Sequence, residues 1–397
     1  MNSPLAADRV RLSFGPRLAN LLRRRRPVND LGVLLALAAM VGIIAARDHR
    51  FFSVNSFIDI GRQSAYIGIV AFGMVFLLAM REIDLSVGST YALAIIGAAK
   101  CMSAGVPSWA AAGVGIAVGA GLGAVNGVLA NTLRVPTIVV TLGTLSAFRG
   151  LVQVWTNSSP VSGIPSGGSF FDVAGGELLG LPFSVWVLVA LCVVLAITLR
   201  RTRYGTMVRS IGSNERAAQF AGIPVARIRL YTLVLIGALA GAAGMLNLAY
   251  FGAADPTIGQ GNELLVIAAA IIGGTPLLGG TGTVIGALLG ALIIQVINSG
   301  LVRFDVPTNW SQVVTGGVII AAVATDGLVR RRRQTRLTRA AARDQVGDAQ
   351  PGEPQPSTAS TGPANPAPAS TSESTSPAVD GPPAPSRPLA RPTGGVG

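Results

Sequence analysis

Side chains that could carry out enzyme chemistry are scarce in this chain of 397 residues. Lys100 is the only lysine and follows Ala99, whereas an ATPase needs a lysine inside a glycine-rich loop to reach the β- and γ-phosphates. His49 is the only histidine, which excludes ordinary histidine-based metal sites and Ser-His-Asp catalysis. Cys101 and Cys192 lie within or beside apolar runs, as packing residues do. We therefore predict a protein with no catalytic residue, metal site or cofactor.

Two stretches of the sequence favour broken helix between apolar runs, at 81–89 and at 273–282. At membrane depth, the N–H and C=O groups freed by such a break must be satisfied by protein or by a water-filled cavity. These stretches are therefore candidate walls of a solute pathway. The pathway candidates are Asp84, Ser86, Gly88 and Ser89 in the first stretch and Gly273, Gly274, Gly279 and Gly280 in the second.

An arginine-rich connector at 200–229 contains a short helix signal. Ser213 or Asn214 can cap its N-terminus, and Gly222 stops the helix before Pro224. The pattern predicts an exposed helix of about two turns, whose small side chains favour docking to a partner over a simple linker. The residues that it would present are Ala217, Ala218, Phe220 and Ala221, and Glu215 falls in the first turn.

The elements that must position these residues are membrane helices. Half of the residues are hydrophobic and only 12% are charged, so the bilayer must be the solvent. Apolar runs of close to the ~20 residues that cross a bilayer recur along the chain. They lie at about 31–46, 63–80, 85–104, 107–130, 135–156, 183–200, 230–251, 263–280, 282–302 and 310–329. The predicted fold is an all-α, polytopic transmembrane bundle of about ten spans.

The distribution of arginines predicts the orientation of the bundle. Four arginines at 23–26 precede the first run, four at 330–333 follow the last, and the connector at 200–229 is basic. The longest predicted outer loop, 156–182, has no lysine or arginine. Because positive loops stay in the cytoplasm, both termini and the connector are predicted to be cytoplasmic. The segment that ends at Arg62 is an exception, since it is basic but predicted to be outside.

Three regions are predicted from the composition. Residues 1–30 form a basic cytoplasmic segment, and the apolar run after it is interpreted as an uncleaved span rather than a signal peptide. Residues 31–333 form the transmembrane domain. Residues 334–397 are rich in Pro, Ser, Thr, Ala and Gly and predict a disordered cytoplasmic tail.

Glycines recur every four residues in three predicted spans. Such spacing lays a groove along one face of a helix and allows the close backbone approach that replaces the hydrophobic effect in lipid. The series are Gly115, Gly119, Gly123 and Gly127; Gly237 and Gly241; and Gly282, Gly286 and Gly290. We expect these grooves to hold helices together rather than to contact a solute. Arg149 lies in an apolar span, and either an interior contact or a position near the span's end would accommodate it.

Several motifs in order resemble those of one transporter family. They are Ile83–Ser89 (IDLSVGS), Val135–Leu151, Glu215-x-Ala217-Ala218 with Gly222, and Asn262–Gly300. Over about 51–329 the sequence resembles the permease subunits of ribose- and xylose-type ABC importers. The resemblance departs at Arg81-Glu82, where the family commonly has two glycines.

This resemblance implies a permease that moves a monosaccharide by alternating access. It also implies an ATP-binding subunit that hydrolyses ATP, an outer sugar-binding protein and a second permease copy, most simply as a homodimer. In the family the connector helix engages the ATPase, so the resemblance assigns coupling to Asn214, Glu215, Ala217, Ala218 and Gly222.

Other functions stay open at the level of sequence. An ABC permease for branched-chain amino acids or nucleosides would share the general bundle. An ion-coupled carrier is less favoured, because most acidic residues fall at predicted span ends rather than at the midplane. A scaffold or receptor would need the tail at 334–397, whereas an importer would not.

Overall fold

The computed structural model of the chain describes residues 28–47, 51, 53–165 and 167–304, with Val306, Pro307, Trp310, Val313, Gly316, Gly317 and Ile320. Within these residues it contains twelve α-helices and one two-stranded antiparallel hairpin. The helices are α1 (Val28–Arg47), α2 (Val54–Ala79), α3 (Val87–Ser103), α4 (Ser108–Leu133), α5 (Thr137–Thr156), α6 (Ser169–Ala174), α7 (Phe183–Arg201), α8 (Arg203–Ser213), α9 (Glu215–Phe220), α10 (Val225–Phe251), α11 (Asn262–Ile272) and α12 (Val284–Arg303). The strands are β1 (Glu177–Leu178) and β2 (Leu181–Pro182).

Six of the described helices, α2, α4, α5, α7, α10 and α12, are long and apolar enough to cross a bilayer. The predicted helical transmembrane fold is therefore confirmed. The count of ten spans and the location of the termini stay predictions. The N-terminal segment before Val28 and the tail at 334–397 lie outside the described residues, as does most of the last predicted span at 310–329.

Helix α2 runs through the centre of the bundle and contacts α7, α10, α11 and α12. Every residue from Ser64 to Met80 is buried. The helix begins nine residues before the predicted span, because the Ser53 hydroxyl caps it by accepting a hydrogen bond from Ser56 N. Arg62, the exception to the charge pattern, is consequently part of this helix. It is buried, pairs with Glu177 at 3.3 Å and lies over the Tyr250 ring at 4.0 Å.

The glycine series of α4 and α10 form the closest contact between long helices. A Cβ at Gly119 would clash with the Gly237 carbonyl oxygen, and one at Gly241 would lie 2.8 Å from Ile116 Cα. In α12, Gly286 lies against Gly273 and Gly290 against Ala269. The prediction that the glycine grooves hold helices together is therefore confirmed.

Both predicted breaks in the helices are present. Arg81 has φ 67°, and α3 begins only at Val87. The predicted span 263–280 was too long, because α11 ends at Ile272. Gly274, Gly279 and Gly280 adopt positive φ in the turn that follows, a conformation that ends a helix and that glycine tolerates without strain.

Gly119→Ala should destabilise the protein by about 1–3 kcal/mol, because the added methyl group meets the backbone of α10. Thermal unfolding of the purified protein in detergent would measure the loss. Gly121→Ala is the matched control, since nothing lies within 4 Å of its added Cβ and alanine favours helix. Equal unfolding temperatures for the two variants would contradict the assigned packing.

Candidate coupling site

The connector between α7 and α10 folds into two capped helices. Thr202 caps α8 by accepting a hydrogen bond from Gly205 N at 3.2 Å. Asn214 rather than Ser213 caps α9, accepting from Ala217 N at 3.0 Å. Gly222, with φ 78°, ends the second helix. The short helix predicted between Asn214 and Gly222 is thus present, whereas α8 was not predicted.

Helix α9 presents a prominent aromatic side chain. Phe220 is 93% exposed, and Ala217 and Ala221 are also exposed. The expectation that Ala218 is presented as well was wrong. It is 4% exposed and belongs to the hydrophobic core, because it lies on the face of α9 that packs inward. Glu215 is exposed in the first turn.

An open groove lies beside α9. It is bordered by α8, α9 and the turn between α11 and α12, through residues that include Arg209, Asn214, Ala217, Ala221 and Gly280. The end of the bundle that carries α8, α9 and this turn is called the connector end below. The connector end therefore has a concave surface, the groove, and a projecting side chain, Phe220.

A chain of polar contacts joins four helices at the connector end. The Glu82 carboxylate accepts hydrogen bonds from Arg229 Nε in α10 and from the Thr137 hydroxyl in α5. Arg229 also donates to Asn131 Oδ1 in α4 at 3.2 Å and lies 3.6 Å from a carboxylate oxygen of Glu215 in α9. Glu82, Thr137, Arg229, Asn131 and Glu215 are called the Glu82 network below.

Arg81 occupies a backbone position that suits glycine, with φ 67°. The left-handed conformation costs an L-residue about 1–2 kcal/mol. Two hydrogen bonds offset this strain. Arg81 Nε donates to Leu278 O at 2.6 Å, and Nη2 donates to Ser213 O at 3.1 Å.

The pathway candidates of the first stretch form a buried hydrogen-bonded turn. Asp84 Oδ1 accepts from the backbone N and the hydroxyl of Ser86 at 2.8 and 2.7 Å. Asn126 of α4 donates to the Ser86 hydroxyl at 2.7 Å, and the Ser89 hydroxyl donates to Ser86 O at 2.8 Å. Because buried polar groups must be paired, this turn fixes where α3 begins. Asn126 was not predicted, since nothing in its local sequence marks it.

The glycine candidates lie at tight contacts between elements. Gly88 packs against Gly259 and the Glu263 side chain, and it borders a small cleft of 190 Å³. Gly273 packs against α12, and Gly279 lies against Arg81. Gly280 borders the groove beside α9, and a Cβ at Gly274 would lie 3.9 Å from Thr283 Cγ2. The structure therefore separates the candidates into at least two places instead of one cavity among the described residues.

At the opposite end, Arg149 holds the loop that precedes α11. It donates to the carbonyl oxygens of Pro256 and Ile258 at 3.3 and 2.8 Å, so the interior contact is the one observed. In the same loop, hydrogen bonds from the hydroxyl and backbone N–H of Thr257 hold the pKa of Asp255 below its ordinary value. Arg149 thereby supplies hydrogen bonds to two loop carbonyl groups that lie outside any helix.

Comparison with known proteins places this architecture in a transporter family. The family model described as "Branched-chain amino acid transport system / permease component" matches residues 56–323. The ribose import permease protein of Escherichia coli K12 is 36% identical over 295 residues, covering 74% of this chain and 92% of its own. The D-allose transport system permease protein of the same strain is 35% identical over 326 residues, with 80% and 99% covered.

A third relative has a different named solute. The autoinducer 2 import system permease protein of Klebsiella pneumoniae is 33% identical over 301 residues, covering 76% of this chain and 87% of its own. No solved structure matches the chain. With a matching family model and relatives that align over most of their length, this chain belongs to the binding-protein-dependent transport permease family and is a multi-pass protein of the cytoplasmic membrane.

Proposed function

We propose that the protein is the permease subunit of an ABC importer that moves a monosaccharide into the cytoplasm. The observation that carries the proposal is α9, a capped helix that presents Phe220 and Glu215 at the basic connector end. Relatives named for ribose and allose import support the sugar class. The family model bears the name of branched-chain amino acid transport, and that alternative has less support from these relatives.

The partner ATPase docks on α9 and the groove beside it. Aromatic side chains dominate the energy of many interfaces, and Phe220 is the exposed aromatic anchor on this helix. Asn214 and Gly222 position the helix by capping its two ends, while Ala217 leaves room for a partner's side chains. ATP is bound and hydrolysed by that partner, and the permease itself needs no cofactor.

Alternating access follows from movement of α9 relative to the bundle. Nucleotide-driven closure of the ATPase shifts the connector by a few ångströms, and the glycine contacts allow α4 and α10 to slide against each other. Asp84, Ser86, Gly88 and Ser89 shape the start of α3, and Gly273, Gly274, Gly279 and Gly280 form the turn after α11. In this mechanism both stretches act as pathway walls that move with the connector.

Two further partners complete the importer. An outer sugar-binding protein delivers the solute to the end opposite the connector, where α6 and the β1–β2 hairpin lie. A second permease copy, most simply an identical one, supplies the other half of the pathway. The apolar outward faces of α5 and α7 are available for lipid and for this second copy.

Proteoliposomes that contain the permease, its ATPase and its binding protein should take up radiolabelled D-ribose only when ATP is present. Unlabelled D-allose should compete, because both solutes present a ring with several hydroxyl groups. ATP-dependent uptake of radiolabelled leucine, without uptake of either sugar, would favour the amino acid alternative. Uptake driven by an ion gradient without the ATPase would contradict the proposal.

Phe220→Ala should lower ATP-dependent ribose uptake by at least about tenfold, the effect expected for truncating an aromatic hot spot of about 1.4 kcal/mol or more. The variant's amount in the membrane should be unchanged, because Phe220 packs against little of the protein. Leu133→Ala is the matched control, since Leu133 is 60% exposed at the end of α4 and does not border the groove beside α9. Equal uptake by both variants would exclude Phe220 from the docking surface.

A further inference from the structure

Glu82 lies at the junction of four helices but belongs to none of them. It follows the end of α2, and its carboxylate binds residues of α5 and α10 directly. Only 10% of its side chain is exposed. A carboxylate with so little water needs charged or hydrogen-bonding partners, and here both oxygens have one. The contact therefore holds the connection between α2 and α3 against α5 and α10.

The partners of Glu82 extend this contact to the coupling helix. Arg229 binds Glu82 on one side and faces Glu215 of α9 on the other. The Glu215 carboxylate is half-exposed and 3.6 Å away, so this pair is the weaker one and can break and reform. Thr137, the other partner of Glu82, is the first residue of α5.

Arg81 attaches the same connection to two other elements. Its guanidinium binds Ser213 O at the junction of α8 and α9, and Leu278 O in the turn between α11 and α12. The two adjacent residues thus contact the connector, α5, α10 and the turn after α11.

We propose that Arg81 and Glu82 are positioning residues that transmit the movement of α9 to α5 and to the turn after α11. The proposal rests on the importer function and adds the route by which force from the ATPase reaches the pathway walls. Movement of α9 changes the Glu215 contact, while the shielded Glu82 contact keeps α5 attached to Arg229. Arg81 moves the turn together with the Ser213 backbone.

Glu82→Gln tests the charged contact with little change in side-chain size. In proteoliposomes with the ATPase and binding protein, ribose uptake should fall by about tenfold while ATP hydrolysis changes less than about twofold. The reason is that the variant weakens the coupling between α9 and the rest of the permease and leaves the ATPase itself unaltered. Glu353→Gln is the matched control, since it removes one carboxylate from the tail at 334–397, which an importer does not need. It should leave both rates unchanged.

A merely structural role would give another result. If Glu82→Gln lowers uptake and hydrolysis together, or changes neither, the proposal is wrong. Arg229→Gln combined with Glu82→Gln should be no worse than the more impaired single variant, because both remove the same contact. Additive losses would also overturn it. If the glutamine variant does not insert, Glu82→Asp tests the same contact in another way, because the shorter side chain draws the carboxylate away from Thr137 and Arg229.

A measurement on the permease alone separates this proposal from the importer function. Spin labels at Gln219→Cys and Ile138→Cys report the distance between α9 and α5, in a background where Cys101 and Cys192 are replaced by serine. Glu82→Gln should broaden the distance distribution, and Glu353→Gln should not. An unchanged distribution would overturn the transmission route. Absence of ATP-dependent uptake of ribose, allose or any other solute by the wild-type complex would instead refute the importer function alone.

Discussion

The constraint on which this structure depends is that every backbone group freed inside the membrane must find a partner within the protein. Helix α2 ends at the level of the turn after α11, and the two breaks satisfy each other. Gly280 N donates to Ala79 O at 2.9 Å. Gly212 of α8 packs on the same carbonyl group, with no room for a Cβ. The ends of α2, α8 and the turn are therefore one contact, which only glycines can make.

The same constraint gives the connector end and the middle of the bundle different properties. At the connector end, breaks in the helices are joined by charged side chains, of which Arg81, Glu82 and Arg229 make the most contacts. Between the ends, α4 and α10 meet through bare glycine faces that bring the two backbones into contact. A bundle built in this way can transmit a displacement from one end while its helices shift in the middle.

The features predicted correctly from the sequence are those with a local physical cause. Glycines four residues apart predicted that Gly119 and Gly237 lie at helix contacts, and the stop signal at Gly222 predicted the end of α9. The crowded glycines at 273–282 predicted a break, although the span 263–280 was drawn across it. The start of α2 was missed because Ser53 caps it among polar residues that hydropathy does not include. The burial of Ala218 depends on how α9 rotates against the bundle, which local spacing does not determine.

The candidate site was only partly predictable for a further reason. The contact between Glu82 and Arg229 joins residues 147 positions apart, so no local pattern marks it. From the sequence, Arg81-Glu82 is simply a departure from a glycine pair that puts the tight backbone in doubt. In the structure the backbone keeps the left-handed conformation that glycine favours, at φ 67°. The strain is offset by hydrogen bonds that glycine could not make. The departure therefore preserves the backbone turn and adds side-chain contacts between the connector and the bundle.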